Sequence, residues 1–135
     1  MNNALLEVKD LKQYFPINTG FFKTVNLKAV DGVSFSIGAG ETLGLVGESG
    51  CGKSTVGRSI LHLYKITGGE IYFENNLITS NNIHKYRKDM AIVFQDPYSA
   101  LDPRMTVADI IGEPLDVHKA YTTKKERKER IEQLM

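Results

Sequence analysis

Cysteine is nearly missing from this chain: there is one in 135 residues. A single thiol excludes an internal disulfide framework. A zinc cluster would need four His or Cys ligands, drawn from that one Cys and three His. A chain without disulfides fits the cytosol. Tryptophan is absent and proline is limited to four. No apolar run approaches the ~20 residues that span a bilayer. The start, Met1-Asn2-Asn3-Ala4, lacks the basic-then-apolar layout of a signal peptide. An excess of one charge is missing too, with 17 Lys/Arg against 16 Asp/Glu. That balance does not suggest a nucleic-acid binder. What is present is a 41% hydrophobic share, ordinary for a soluble globular chain, and length for one domain.

Along the chain, Leu6-Glu7-Val8 and Val33-Ser34-Phe35-Ser36-Ile37 alternate apolar and polar, as half-buried strands do. Residues 16–29, with Pro16, Asn18, Gly20 and Asn26, read as a long loop. Thr42-Leu43-Gly44-Leu45-Val46 and Met90-Ala91-Ile92-Val93-Phe94 are continuous apolar runs that suit strands buried on both faces of a parallel sheet. A helix is predicted from Lys53, with Val56, Ile60 and Leu63 on one face. Ile71-Tyr72-Phe73 reads as a strand and residues 75–82 as a polar loop. Thr106 and Asp109 look like a capping pair for a helix that Pro114 should limit. A last helix should begin at Thr123, with Glu126 as its capping partner. Residues 119–135 hold six Lys/Arg and three Glu, a solvated face with expected pairs Glu126/Arg130 and Lys125/Glu129. Its apolar residues, Ile131, Leu134 and Met135, arrive only as the chain stops.

One motif carries chemistry. Gly47-Glu48-Ser49-Gly50-Cys51-Gly52-Lys53-Ser54 fits G-x-x-x-x-G-K-[ST], and Thr55 follows. Glycines permit positive φ and close backbone approach, so several amides can face one anion. The helix after them offers unpaired N–H groups and a positive dipole end. Lys53 can reach the β- and γ-phosphates, and the Ser54 hydroxyl can bind Mg²⁺. Cys51 is either a thiol near a helix N-terminus or a variable position of which only the backbone matters. Gln95 ends an apolar run and is placed to reach a metal or an attacking water. His62, His84 and His118 read as surface or structural residues.

Together these residues resemble an ABC transporter ATP-binding subunit of the oligopeptide/dipeptide importer group. Gly47 to Thr55 is similar to its Walker A motif. Val93-Phe94-Gln95-Asp96-Pro97-Tyr98-Ser99-Ala100-Leu101-Asp102-Pro103-Arg104 is similar to its Q-loop segment. The Leu6-Glu7-Val8 strand followed by Tyr14-Phe15 resembles its A-loop, and Pro16 to Lys28 the longer insertion of peptide importers. The resemblance implies an α/β fold: a P-loop NTPase core with an N-terminal antiparallel β-subdomain and an attached helical subdomain. It implies ATP and Mg²⁺ as cofactors. Phe15 would stack on adenine, with Tyr14 the alternative. Gly47, Ser49, Gly50, Cys51, Gly52, Lys53, Ser54 and Thr55 would bind phosphates, and Ser54 and Gln95 would contact the metal. Implied partners are transmembrane permease subunits, a second ATP-binding subunit and, indirectly, an extracytoplasmic solute-binding protein. Nucleic acid is not among them. The implied location is peripheral, on the cytoplasmic face of the cell membrane.

The family's signature motif, its Walker B strand ending in Asp-Glu and its switch His have no match here. Residues 1–135 therefore read as the N-terminal part of one such domain, cut inside its helical subdomain. The chain is expected to bind nucleotide without hydrolysing it, and exposed strand edges should make it poorly soluble. Other readings are a non-transport ABC ATPase acting on nucleic acid or the ribosome, and a P-loop small-molecule kinase.

Overall fold

A computed structural model describes residues 4–20 and 24–135. They fall into two units, Met1–Ala91 and Ile92–Met135, each described by itself.

The first unit is built on a long hairpin, β1 (Ala4–Asn18) and β2 (Thr24–Gly38). β3 (Gly68–Phe73) pairs with β1, and β4 (Asn76–Ile78) with β3. The sheet is antiparallel, in the order β2-β1-β3-β4. Alternation alone would put Val8 and Leu11 on opposite faces. The ladder slips between them, where Asp10 takes φ +48°, and both side chains turn inward. They are buried with Val30, Ile71, Phe73 and Ile78. Val56 of α1 (Lys53–Ile60) closes this core from one side, with Ile83 of a short 3₁₀ turn, Ile83–Tyr86. Each buried aliphatic side chain contributes roughly 1.5–3 kcal/mol. The opposite face is polar: Lys9 pairs with Glu7 at 3.0 Å and lies 4.7 Å over the Tyr72 ring.

Several expectations need correction. The loop predicted over 16–29 is mostly strand, with Ile17 opposite Val25 and Phe15 opposite Leu27; residues 21–23 lie outside the described set. Pro16 is accommodated because β1 has left β3 behind at Lys12 and pairs there with β2 alone. Part of the loop predicted over 75–82 is β4, with Glu74 and Asn75 at positive φ as its turn. Neither Thr42–Val46 nor Met90–Phe94 forms a strand. Val46 is 94% exposed and Val93 95%. A strand exists only through a neighbour's hydrogen bonds, and neither run has one among the described residues.

In the second unit, α2 (Pro97–Ala100) starts at Asp96, whose Oδ1 accepts the Tyr98 N–H at 3.0 Å. α3 (Val107–Val117) opens with the expected Thr106/Asp109 capping box. It then runs through Pro114, which was expected to limit it. Pro114 is exposed, so the carbonyl it leaves without a donor can be solvated. α4 (Lys124–Leu134) is capped by Thr123, as read. Its ion pairs are Lys125–Glu129 at 3.8 Å and Lys128–Glu132 at 3.7 Å. The predicted Glu126/Arg130 pair does not form: Glu126 accepts the Thr122 N–H at 2.8 Å, and Arg130 donates to Gln133. Ile131 is buried. Arg127 ties α4 to α3 through both oxygens of Asp116, at 2.6 and 2.8 Å. A Cβ on Gly112 would strike the Arg127 guanidinium.

Two tests follow from this packing. Gly69, at φ +87°, lies against the Lys9–Asp10 bulge, and a Cβ there would come 2.6 Å from the Lys9 carbonyl oxygen. Gly69→Ala should cost about 2–3 kcal/mol in urea unfolding; an unchanged midpoint contradicts the close approach. Asp116 is held at about 2, first by its Arg127 hydrogen bonds and then by Tyr121. Its folded pKa lies below the unfolded value, so its contribution is present above pH ~4 and is lost as pH falls toward 2. Helical signal should drop over that window, and less steeply in Asp116→Asn.

Candidate functional site

The P-loop runs from Gly47 to the first turn of α1. Gly50 and Gly52 have φ +81° and +96°, the positive values the motif requires. Gly52 is the N-cap of α1 and offers no side chain, and the first turn holds no acidic residue. The first helical bond is Val56 N–H to the Gly52 carbonyl at 2.9 Å. The amides of Lys53, Ser54 and Thr55 precede that ladder and remain available to an anion, beside the positive end of the helix dipole.

Lys53 is already placed. Its Nζ donates to the carbonyls of Gly47 at 2.8 Å and Glu48 at 2.6 Å, and lies 3.5 Å from Cys51 Sγ. These bonds fold the long side chain back over the loop, which reduces the rotamer freedom lost when a phosphate arrives. Cys51 is exposed, and its sulfur sits where a Cβ on Gly47 would come within 2.6 Å. That contact gives Gly47 a packing reason that the motif alone did not reveal. The Ser54 side chain is exposed and has no hydrogen-bond partner among the described residues. A free hydroxyl one residue after the lysine fits a Mg²⁺ ligand. Ser49 and Glu48 are exposed, and Thr55 is half-buried.

α1 is held from behind. Val56 and Ser59 are buried, and Gly52 lies so close to β2 that a Cβ would strike the carbonyl oxygen of Ala29 and approach Val30 Cγ2 at 3.7 Å. Leu63, expected on the buried face of α1, lies beyond the helix and is exposed.

Phe15 and Tyr14 point to opposite sides of the hairpin. Phe15 continues the face that carries Leu11 and Gln13, and packs edge-on against Tyr64 at 5.3 Å between centroids. Arg58 of α1 donates to the Tyr64 hydroxyl at 3.1 Å. Tyr14 donates its hydroxyl to Asp31 on the other face, where Lys28 lies 5.4 Å over its ring. The side shared with α1 is thus the Phe15 side. Gln95 belongs to the second unit, exposed just before Asp96. Phe15 and Gly47–Thr55 thus belong to the first unit, and Gln95 to the second.

The helix predicted through Leu63 would have carried His62, but α1 ends at Ile60 and His62 lies beyond it. His84 is exposed, and His118 is the C-cap of α3. His62 is half-buried behind α1 at φ +49°, and burial lowers its pKa. Among the described residues no group of three or more His, Cys, Asp or Glu is arranged to hold a metal. No helix among them is long and apolar enough to cross a membrane.

A family model described as ABC transporter matches residues 30–135. The chain belongs to the ABC transporter family. It is 52% identical over its whole length to the oligopeptide transport ATP-binding protein OppF of Bacillus subtilis, covering 44% of that protein. It is 41% identical to the dipeptide transport ATP-binding protein DppF of Haemophilus influenzae, over 99% of this chain and 42% of that protein. The chain thus spans less than half the length of these curated relatives. Among solved structures, a dimeric ATP-binding cassette, MJ0796, bound to ADP and Pi in a post-hydrolysis state, superposes with a TM-score of 0.76. It is 26% identical, over 95% of this chain and 54% of that one. The expected partial P-loop NTPase fold agrees with that likeness.

The geometry also predicts how Cys51 behaves. Its sulfur is exposed but lies between Gly47 and Lys53, so a phosphate chain in the loop should shield it. Labelling of Cys51 by a maleimide should slow severalfold with saturating MgATP; an unchanged rate contradicts a phosphate site at this loop.

Proposed function

We propose that this chain binds Mg-ATP at Gly47–Thr55 and forms part of an ATPase subunit that powers peptide uptake across a membrane. The observation that carries the reading is the prepared cradle: three unladdered amides at the start of α1, with the Lys53 ammonium fixed beside them. Phosphates of the nucleotide accept from those amides and from Lys53, Ser54 provides a Mg²⁺ ligand, and Phe15 stacks on the base. Gln95 is the second residue that this reading assigns to the metal. The matched relatives are named for oligopeptide and dipeptide transport, which supports peptides as the transported class. Permease subunits, a second ATP-binding subunit and a solute-binding protein complete the assembly, at the cytoplasmic face of the membrane.

Binding and turnover separate in this reading. The sequence has no match to a Walker B strand ending in Asp-Glu, so in this reading the phosphates are positioned electrostatically without a base. Calorimetry of the 135-residue chain should show saturable Mg-ATP binding that Lys53→Ala weakens roughly 10–100-fold, the scale of lost charge-assisted bonds. Phosphate release should stay at background. Lysine-dependent turnover would overturn the proposed division, and binding indifferent to Lys53 would overturn the site.

A further inference from the structure

The ladder between β1 and β2 contains an irregularity with a position of consequence. Gln13 pairs with Val30 and Tyr14 with Lys28, so two consecutive residues of β1 face residues two apart on β2. Ala29 is the extra residue, a bulge. Its carbonyl group is the one that lies against Gly52, the residue that opens α1 and ends the phosphate loop. Gly52 cannot carry a Cβ there, both for lack of room and because its φ is +96°. On one side of the bulge the hairpin is packed on α1 through Val30; on the other it carries Phe15 opposite Leu27. Bulges add a bend and extra twist to a ribbon, so this one sets the direction in which the Phe15 arm leaves the sheet.

We propose that Ala29 is a positioning residue, the joint that aligns the base-binding arm with the phosphate loop. It acts through its backbone: the carbonyl seats on Gly52, and the bend carries Phe15 to the side of α1, where Tyr64 and Arg58 steady it. A nucleotide spans both parts, so its affinity depends on their relative placement, whereas a bare polyphosphate touches the loop alone. The inference rests on the nucleotide reading above and names what holds its two halves in register.

Deletion of Ala29 makes a clean test. The pairs Gln13–Val30, Tyr14–Lys28 and Phe15–Leu27 all survive in a now regular ladder, and every side chain keeps its face. Only the bend and the Gly52 contact are lost. Binding of Mg-ATP and of Mg-tripolyphosphate is measured by calorimetry for the wild-type chain, the deletion, and Ala29→Ser, which keeps the bulge. The ratio of the two affinities isolates the contribution of the base half. Wild type and Ala29→Ser should share one ratio, with ATP the tighter ligand. The deletion should lower ATP affinity at least tenfold while tripolyphosphate stays within threefold, at unchanged far-ultraviolet circular dichroism. A deletion that keeps the wild-type ratio overturns the joint, and so does one that weakens both ligands equally or loses the sheet signal. Wild type that binds neither ligand overturns the nucleotide reading itself, and the joint with it.

Discussion

A helix that must leave its first turn open to an anion has to be held by everything except that turn. Here the hold is the packing of Val56 and the Gly52 backbone against Leu11, Val30 and the Ala29 carbonyl of the hairpin. α1 has only eight residues and no side-chain cap, too short to persist alone. Its stability comes from the sheet behind it. The helix start, the loop folded over Lys53 and the arm bearing Phe15 all take their positions from that contact. Two bulges, at Asp10 and Ala29, make it possible, one by turning Leu11 into the core and the other by presenting a carbonyl to Gly52.

The sequence revealed what is determined locally. Capping pairs such as Thr106 with Asp109 and Thr123 with Glu126 are short-range hydrogen bonds, and both form. The glycine-rich loop was legible because each residue type has its own task, and Gly50 and Gly52 do take positive φ. Less legible was everything that depends on a distant partner. Pro16, Asn18 and Asn26 are ordinary loop signals, yet cross-strand pairing overrides them up to Asn18. The bulges leave no mark in composition. They follow from which residues must reach the core, and that is known only once α1 is docked. Gly52 and Gly69 each answer to a backbone carbonyl from another strand, so their roles appear only in three dimensions.

The two runs around Leu45 and Val93 show the same limit from the other side. An apolar run declares that it is suited to burial but says nothing about what will bury it. Both lie outside any strand and, apart from half-buried Met90, are exposed, without a ladder neighbour among the described residues. The P-loop differs because its geometry is set by turns within the loop and by α1 behind it. A phosphate cradle can thus be present while the apolar segment leading into it stays unpaired.

The proposed anion site is confined to Gly47–Thr55, with Lys53 as its organising cation. Its most direct test is a two-dimensional ¹H–¹⁵N spectrum of the 135-residue chain titrated with Mg-ATP. Large, saturable shifts are expected at the amides of Gly47 through Thr55, with small ones along β3 and β4, and the large shifts should be lost in Lys53→Ala. Shifts scattered over the chain, or none at the start of α1, would contradict the proposed site.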